Sequence, residues 1–410
     1  MKPTLSAREG LSDDVRRGKG RAVSRNIVLA PDKFKGSLTA DQAARAMAQG
    51  ARRADPNAVP VLCPVADGGE GTLDALVAAG FDRVDAHATG PTGAVVHTAY
   101  ARIGGRAVIE MADICGLQRL PAGTPAPMTA TSYGLGAVVA QALDDGCRDI
   151  VITVGGSAST DGGAGMLMAL GAEVLDRHGN PIGLGGRGLA DAARLDLRRL
   201  HPAVGAATFT LAADVDNPLC GPQGAAAVYG PQKGVLGSQI AELDRGLARW
   251  ADLVGPATNT DVRDAPGAGA AGGTGFAALA VLGARMRPGI EMLLDLVDLD
   301  RNLRGAAMVI TGEGSLDEQS LRGKAPVGVS RRAQTLGIPA FAIAGISTLT
   351  SVQAHDAGFT AVHSLNELEP DLSRCTRYAA ELLTVVAERL VGATIAARRD
   401  GARPMPRPLA

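Results

Sequence analysis

A glycine-rich run with several hydroxyl groups and one carboxylate, GGSASTDGGAG at 155–165, directly follows a short apolar stretch and precedes another. This order predicts a strand, a glycine-rich turn and a helix. Glycines let an anion approach the backbone, and the free N–H groups of a helix start attract negative charge. We therefore expect Gly155, Gly156 and Ser157 to contact phosphate. Asp161 is a candidate metal ligand or base, although a tight turn without any ligand is the alternative.

Further loops place charged and amide side chains among glycines at the ends of predicted strands, where ligands of open α/β sheets bind. These loops are APDKFKGS at 30–37, ADGGEGT at 66–72, ADVDNPLCGPQGAA at 213–226, GPQKG at 230–234 and TGEGSLDEQSLRGK at 311–324. Their candidate functional residues are Asp32, Lys33, Lys35, Ser37, Asp67, Glu70, Asp214, Asp216, Gln232, Lys233, Glu313 and Lys324. A structural role is the alternative for two of them, because Glu70 can serve its helix start and the Asp-Asn-Pro sequence at Asp216 favours a turn.

Glycine loops, carboxylates and lysines are the groups that phosphoryl transfer to a hydroxyl requires. Loops and a metal ion hold the polyphosphate, cations neutralise the transferred group, and a carboxylate takes the proton of the acceptor. The sequence has no GxSxG or GxxxxGK[ST] motif, and its six histidines have no paired spacing. These absences argue against a serine hydrolase and a P-loop enzyme. The residues predict a small-molecule kinase with a nucleotide site of another type.

Composition narrows the class of protein further. The 410 residues exceed what one hydrophobic core usually supports, which predicts two domains. Hydrophobic residues make up 46% of the chain and aromatic residues 3%, as expected for an aliphatic, layered α/β core. A formal charge of −1 favours neither nucleic acid nor an anionic membrane, so we expect a small-molecule partner. The five cysteines lack metal-site spacing and are predicted to be reduced core residues.

The N-terminal segment 1–25 combines arginines with small and polar residues and is predicted to be a disordered extension. It contains no apolar stretch of the kind found in signal sequences. The chain also lacks an uninterrupted apolar run of the ~20 residues that span a bilayer. We therefore expect a cytoplasmic protein without a membrane partner, and the sequence leaves its oligomeric state open.

The elements that must position these loops alternate between two patterns. Strand and helix alternate near both ends and in the middle of the chain, whereas β-rich runs at 83–111 follow one another without a helix and predict an antiparallel meander. One α/β domain is therefore expected to be discontinuous, with a second domain inserted. The predicted α/β domain comprises 26–80, 125–172 and 290–398, and the predicted inserted α+β domain comprises 81–124 and 173–289. Within them, Thr39 with Gln42 three positions later predicts a capped helix start, and 237–254 has the pattern of an amphipathic helix.

Six segments in this order resemble the bacterial glycerate kinase family, glycerate kinase type 1. They are APDKFKGSLTA, PVADGGEGT, VGGSASTDGGAGM, AADVDNPLCG with YGPQKG, PGAGAAGG and ITGEGSLDEQSLRGK. The resemblance covers about 26–396 and implies ATP-dependent, Mg²⁺-assisted phosphorylation of D-glycerate, generally at the 2-hydroxyl, to give 2-phosphoglycerate. It also implies a flavodoxin-like (Rossmann-like) parallel-sheet domain with an inserted α+β domain similar to a restriction-enzyme fold.

In a kinase of this type each candidate residue has an expected role. Gly155, Gly156 and Ser157 would contact nucleotide phosphates, and Lys324 would support them. The run containing Gly269, Gly272 and Gly273 would close over substrate or nucleotide. Asp214 or Glu313 would hold the cation. Lys35 or Lys233 would bind the carboxylate of glycerate, and Asp161 or Asp67 would orient or deprotonate its hydroxyl.

Other functions stay open from the sequence. A glycerate 3-kinase, or a kinase of a related small hydroxy acid, would use the same types of residue. The run GAGAAGGTG at 267–275 superficially suggests a dinucleotide-binding oxidoreductase, but the residues before it are too polar for the required strand. A non-catalytic sensor of small acids is the alternative from another class, although its many loop carboxylates would be costly to bury around an anion.

Overall fold

The computed structural model describes residues 25–122 and 124–399, so the predicted disordered extension lies outside the described residues except for its last residue. The strands, in chain order, are β1 (Asn26–Pro31), β2 (Val59–Leu62), β3 (Asp82–Thr89), β4 (Val95–Ile103), β5 (Arg106–Glu110), β6 (Asp149–Thr153), β7 (Glu173–Leu175), β8 (Arg194–Asp196), β9 (Thr208–Ala212), β10 (Arg285–Arg287), β11 (Met308–Gly312), β12 (Ser315–Leu316), β13 (Ala340–Ala344), β14 (Ile346–Ser347) and β15 (Phe359–Ser364).

The helices, in chain order, are α1 (Ala40–Ala54), α2 (Thr72–Ala78), α3 (Met111–Cys115), α4 (Tyr133–Asp144), α5 (Ala164–Ala169), α6 (Ala225–Tyr229), α7 (Ser238–Thr258), α8 (Ala270–Ala280), α9 (Gly289–Leu296), α10 (Leu299–Leu303), α11 (Ala325–Thr335), α12 (Ser351–Asp356), α13 (Leu372–Arg377) and α14 (Ala379–Arg399). Among the described helices, none combines the length and the apolar composition that crossing a membrane requires.

The first sheet is parallel and has five strands in the spatial order β2-β1-β11-β13-β15. Numbered by their place in the chain, these strands follow the order 2-1-3-4-5. Strands β11 and β13 are buried at every residue, as expected where helices cover both faces of a sheet. Helix α1 begins with the capping box of Thr39 and Gln42 that the sequence predicts. The sheet thus presents the carboxyl ends of its strands along one edge.

The second sheet has six strands in the order β3-β4-β5-β6-β9-β10. Strands β3, β4 and β5 form the predicted antiparallel meander, and β6, β9 and β10 continue the sheet in parallel with β5. The carboxyl ends of β6 and β9 therefore point the same way as that of β5. The second sheet thus contains both antiparallel and parallel strand pairs, whereas the first sheet is entirely parallel.

The predicted domain division is wrong at β6. Segment 125–172 was expected to belong with the first sheet, but β6 pairs with β5 on one side and β9 on the other. Ile109 faces Ile152 in this register, and Ile152 faces Leu211. A short apolar run suits a central strand of either sheet, because its side chains satisfy any buried position and do not identify the neighbouring strand.

The three largest hydrophobic clusters of the described residues hold these layers together. One lies on a single face of the second sheet and includes the fully buried Trp250 of α7. Another packs α1 and α14 against the first sheet. The third contains Val28 and Val309 of the first sheet together with Val108 and Val151 of the second, so the two sheets share a continuous core. Four of the five cysteines are buried, as predicted for core residues, and Cys220 is partly exposed.

Candidate active site

One cleft of about 770 Å³ collects the loops at the carboxyl ends of β1, β6, β9, β11 and β13. Its size lies within the ~300–1,000 Å³ that is typical of small-molecule sites. The predicted residues that line it are Asp32, Lys33, Lys35, Ser37, Asp67, Glu70, Gly155, Gly156, Ser157, Asp214, Gln232, Lys233, Glu313 and Lys324. Strand ends from both sheets therefore meet at one site, as the polarity of parallel strands requires.

Carboxylates crowd the centre of this cleft. Burial raises the pKa of Asp32, Asp214 and Glu313, and the negative charge of Asp67 raises the pKa of each further. Burial is the largest cause at Asp32, whose pKa rises to about 7 although the backbone N–H of Lys33 donates to this carboxylate. Carboxylates this close together repel one another, so a cation bound among them would be stabilised.

Two of these carboxylates are held by the backbone or by neighbouring side chains. The N–H of Gly289 donates to Asp214 over 2.7 Å, while partial desolvation raises the pKa of Asp214. Glu313 is buried, accepts a hydrogen bond of 2.6 Å from Ser320 Oγ and lies 3.8 Å from Lys324 Nζ. Both side chains are thus oriented before any ligand arrives.

The donor types at the centre fit a magnesium ion shared with phosphate. In the two described segments, no group of three or more His, Cys, Asp or Glu side chains is placed to hold a metal by itself. Mg²⁺ in phosphate-transfer sites is usually bound by one or two carboxylates and completed by substrate phosphates and water. Asp214 and Glu313, which both line the cleft, carry oxygen donors of the kind that such an ion binds.

Lys233 is a buried cation on the side of the cleft formed by the second sheet. Its side-chain Nζ donates to Ser157 Oγ over 3.0 Å and to the carbonyl oxygen of Ser159 over 2.6 Å. Burial lowers its pKa to about 8, against the opposing effect of Asp161. A desolvated ammonium group beside an open cleft is suited to bind an anion.

The other predicted lysines have different surroundings. Lys33 Nζ donates to the carbonyl oxygen of Glu70 and lies 3.8 Å from its carboxylate, which ties together the loops after β1 and β2. Lys324 pairs with Glu313, and Lys35 is exposed at the cleft. Lys35 can therefore reach a ligand without breaking a buried contact, whereas Lys324 lies beside the buried carboxylate of Glu313.

Asp161 does not line the cleft, which corrects its expected contact with the substrate hydroxyl. It is only 1% exposed, and the backbone N–H and Oγ of Ser132 donate to it over 2.8 and 2.9 Å. Thr131 Oγ1 and the N–H of Gly163 donate to it as well. The carboxylate is thus enclosed by hydrogen bonds within the protein, and it supports the glycine loop from beneath.

The second glycine run is also placed differently from the prediction, because Gly269, Gly272 and Gly273 do not line the cleft. A Cβ on Gly272 would lie 2.1 Å from the carbonyl oxygen of Ser159, and one on Gly269 would lie 2.3 Å from that of Pro218. These glycines let backbone segments pack against one another, and their neighbours Ala270 and Ala271 line the cleft instead.

The predicted order of strand, glycine-rich turn and helix is present, and helix α5 begins at Ala164. Gly155, Gly156 and Ser157 lie early in the connecting segment, with Gly155 and Gly156 in a turn, and therefore not at the helix N-terminus. A Cβ on Gly155 would lie 2.7 Å from Gly69 Cα, and the N–H of Gly155 donates to Gly68 over 3.2 Å. Glycine is therefore required at 155 because two site loops touch there.

Several residues of the cleft gave no signal in the sequence. Tyr229 lines it and donates through its hydroxyl to Asn217. Apolar residues line its remaining end, and they are Phe34, Ile346, Leu365, Leu372, Cys375 and Ala379. Tyr229 is the last residue of α6 and begins the segment YGPQKG, and Phe34 lies in the loop APDKFKGS, but neither residue type pointed to a contact with ligand. The other apolar residues are dispersed among core positions, so no local pattern separated them from structural residues.

The comparison with protein families agrees with this geometry. A sequence model described as the glycerate kinase family matches residues 27–395. The chain belongs to the glycerate kinase family. This membership makes the protein a kinase and confirms the enzyme class that its loops predict.

Named relatives in the glycerate kinase family match nearly the whole chain. The glycerate 2-kinase of Escherichia coli K12 is 42% identical over 374 residues, which cover 90% of this chain and 98% of the relative. The glycerate kinase of Halalkalibacterium halodurans is 41% identical, with 89% and 97% covered. The crystal structure of a provisionally named glycerate kinase 2 from Salmonella typhimurium LT2 matches with a TM-score of 0.80 and 40% identity, covering 91% of this chain and 99% of that one.

Proposed function

We propose that this protein transfers the γ-phosphoryl group of ATP to the 2-hydroxyl of D-glycerate and forms 2-phosphoglycerate. The observation that carries the proposal is the meeting of Asp32, Asp67, Asp214 and Glu313 with Lys35, Lys233 and Lys324 in one cleft. A small hydroxy acid and a polyphosphate are both anionic, so each needs cations nearby, and proton transfer from the hydroxyl needs a carboxylate. The E. coli relative, named a glycerate 2-kinase, supports the choice of hydroxyl.

The reaction requires one bond to form and one to break at phosphorus. The 2-oxygen of glycerate bonds to the γ-phosphorus, the bond between that phosphorus and the β–γ bridging oxygen breaks, and ADP leaves with the electron pair. The hydroxyl proton passes to a carboxylate of the cleft. Of the two bases predicted from the sequence, Asp161 and Asp67, only Asp67 lines the cleft, so we assign the proton to Asp67. Asp32 is a second candidate, because its pKa of about 7 suits a base near neutral pH.

The carboxylate of glycerate and the transferred phosphate are assigned to different but neighbouring groups of the cleft. Lys233 binds the carboxylate of glycerate from its buried position beside Ser157, with Lys35 as the alternative partner. Gly155, Gly156 and Ser157 contact the transferred phosphate through backbone and hydroxyl groups, and Lys324 neutralises its charge. Such positioning is the main source of rate enhancement in phosphoryl transfer.

Asp214 and Glu313 are proposed to hold Mg²⁺. When bound, the ion neutralises negative charge on the nucleotide phosphates and fixes their orientation. The support for this assignment is the carboxylate crowding around Asp67, which leaves the centre of the cleft short of positive charge.

We also propose that the two sheets correspond to a flavodoxin-like domain and an inserted second domain. The strand order 2-1-3-4-5 of the first sheet supports the flavodoxin-like assignment. The chain leaves this sheet after β2, builds the second sheet, and returns with β11, which supports an insertion.

The test is a direct assay with purified protein, D-glycerate, ATP and Mg²⁺, followed by ³¹P NMR. Formation of a new phosphomonoester signal identical to authentic 2-phosphoglycerate is expected. Added enolase should convert this product without a mutase, whereas 3-phosphoglycerate would need one. A 3-phosphate product would favour the 3-kinase alternative, and glycerate binding without consumption of ATP would favour a sensor.

A further inference from the structure

The cleft has an uncharged end that phosphoryl transfer to glycerate leaves unused. Phe34, Leu365, Cys375 and Ala379 form its floor, and all four belong to the core between the first sheet and helices α1 and α14. Leu372, in the first turn of α13, also lines this end but is 55% exposed. A large apolar side chain is thus left in water beside an apolar floor.

This end continues directly from the acidic centre. The N–H of Gly345 donates to the carbonyl oxygen of Glu313 over 3.0 Å, and the N–H of Asn366 donates to Gly345 over 3.1 Å. On the opposite side, Ser37 Oγ donates to the carbonyl oxygen of Thr376 over 3.0 Å, which ties the loop after β1 to α13. A single ligand can therefore extend from the carboxylates to the apolar end within one cleft.

The chemistry of the two substrates determines which one reaches this end. Glycerate has three carbons and carries charge or hydroxyl groups on all of them, so apolar surface offers it little. The nucleotide has one flat, largely apolar part, its base, and burying that surface releases water from both sides. We propose that this apolar end binds the purine base of the nucleotide, with the triphosphate running past Lys35 and Lys324 to the acidic centre.

This inference rests on the proposed function only for the use of a nucleotide donor. It assigns the direction of the nucleotide, with the base on the first-sheet side and the terminal phosphate beside Gly155 and Ser157. The acceptor then occupies the second-sheet side, next to Lys233. With Lys35 assigned to the triphosphate, Lys233 is left as the partner of the glycerate carboxylate, so the two substrates do not compete for the same cationic group.

The test compares two probes that share phosphates and differ in the base. Equilibrium binding of ATP and of inorganic tripolyphosphate is measured by calorimetry with Mg²⁺ and without glycerate. The variant is Leu372→Ala, and the matched control is Leu336→Ala, which shortens another partly exposed leucine that does not line the cleft. Leu372→Ala should weaken ATP binding by about three- to tenfold and leave tripolyphosphate binding unchanged, because only apolar contact is lost. Leu336→Ala should change neither.

Three results would overturn the inference: equal affinity of the wild-type protein for both probes, an equal loss for both probes in Leu372→Ala, or unchanged ATP binding in that variant. Thermal unfolding of both variants verifies that they are folded. The binding assay needs no turnover, so it separates this inference from the proposed function. Selective loss of ATP binding in a protein that does not phosphorylate glycerate would refute only the proposed function.

Discussion

Lys233 Nζ donates a hydrogen bond of 3.0 Å to Ser157 Oγ, and this bond joins two cleft residues that lie 76 positions apart in the chain. The lysine is 3% exposed and has Asp161 as an electrostatic partner without a direct ion pair among the described residues. Its ammonium group is therefore held in a desolvated position at the edge of the site. Both the reaction and the stability of the protein should respond to the charge on this group.

Replacing Lys233 with Met should lower kcat/KM for glycerate by about 10²-fold or more, because a desolvated cation facing an anion is lost. In the wild-type protein, kcat/KM should fall as pH rises through about 8, where Lys233 loses its proton in the free enzyme. Initial rates measured from pH 6.5 to 9.5 check both expectations. A wild-type decline near pH 8 that persists in Lys233→Met would assign it to another group.

The same lysine should make stability depend on pH. Its pKa is lowered from 10.5 to about 8 in the folded state, so between these values the unfolded chain binds more protons. Stability of the wild-type protein therefore gains with rising pH in that window, whereas below about pH 8 the full cost of burying the charge is present. The Tm of the wild type relative to Lys233→Met should rise from pH 7.5 to pH 10. A constant difference would contradict the assigned burial effect.

Asp214→Asn should raise the Mg²⁺ concentration needed for half-maximal activity by about tenfold or more, since a neutral amide is a weaker ligand for a hard cation. Asp216→Asn is the matched control, because Asp216 lies two positions away and does not line the cleft. A magnesium titration at saturating ATP and glycerate measures the effect. If both variants respond alike, the cation is held elsewhere.

Asp161→Asn should destabilise the fold and leave chemistry largely intact. The amide leaves some of the donors from Ser132, Thr131 and Gly163 unpaired, and each unpaired buried group costs about 1–3 kcal/mol. Urea unfolding should show this loss, with kcat of the folded variant within about tenfold of wild type. If Asp161→Asn has normal stability and a kcat reduced by about 10²-fold, Asp161 would instead be assigned as the catalytic base.

Gly272→Ala should lower the free energy of unfolding by more than the strain of a left-handed backbone conformation alone. Its φ of +68° strains any L-residue, and the new Cβ would also lie 2.1 Å from the carbonyl oxygen of Ser159. Gly104→Ala is the matched control, because Gly104 has φ +55° with open space around it. The control should lose about 1–2 kcal/mol from φ strain only, and Gly272→Ala clearly more. Equal losses of unfolding free energy would mean that the two loops are not in contact.

Much of the local structure followed from the sequence. The capping box at Thr39 fixed the start of α1, the alternating runs gave the meander of β3 to β5, and the amphipathic pattern predicted α7. The site loops could also be located, because ligands of open α/β sheets bind at the carboxyl ends of strands, where these glycines and carboxylates follow apolar runs. These features depend on residues close together in the chain.

The pairing of each strand and the burial of each side chain depend on contacts between segments that are distant in the chain, so local sequence did not predict them. The sequence of strand β6 does not indicate to which sheet it belongs. The loop sequences of Asp161 and Asp67 likewise do not indicate which of the two side chains is buried. Only packing beneath the glycine loop buried Asp161 and left Asp67 facing the cleft.

The sequence by itself determined the kinds of chemistry available, the loops that carry them and the family to which the chain is related, since these depend on residue types in a fixed order. The tertiary structure alone decided which groups meet. It placed Lys233 against Ser157, gave Gly272 a packing role and left the apolar end beside Leu372 open. The physical reason is that burial, pKa and contact arise from chain segments brought together by folding, and no local pattern records their distances.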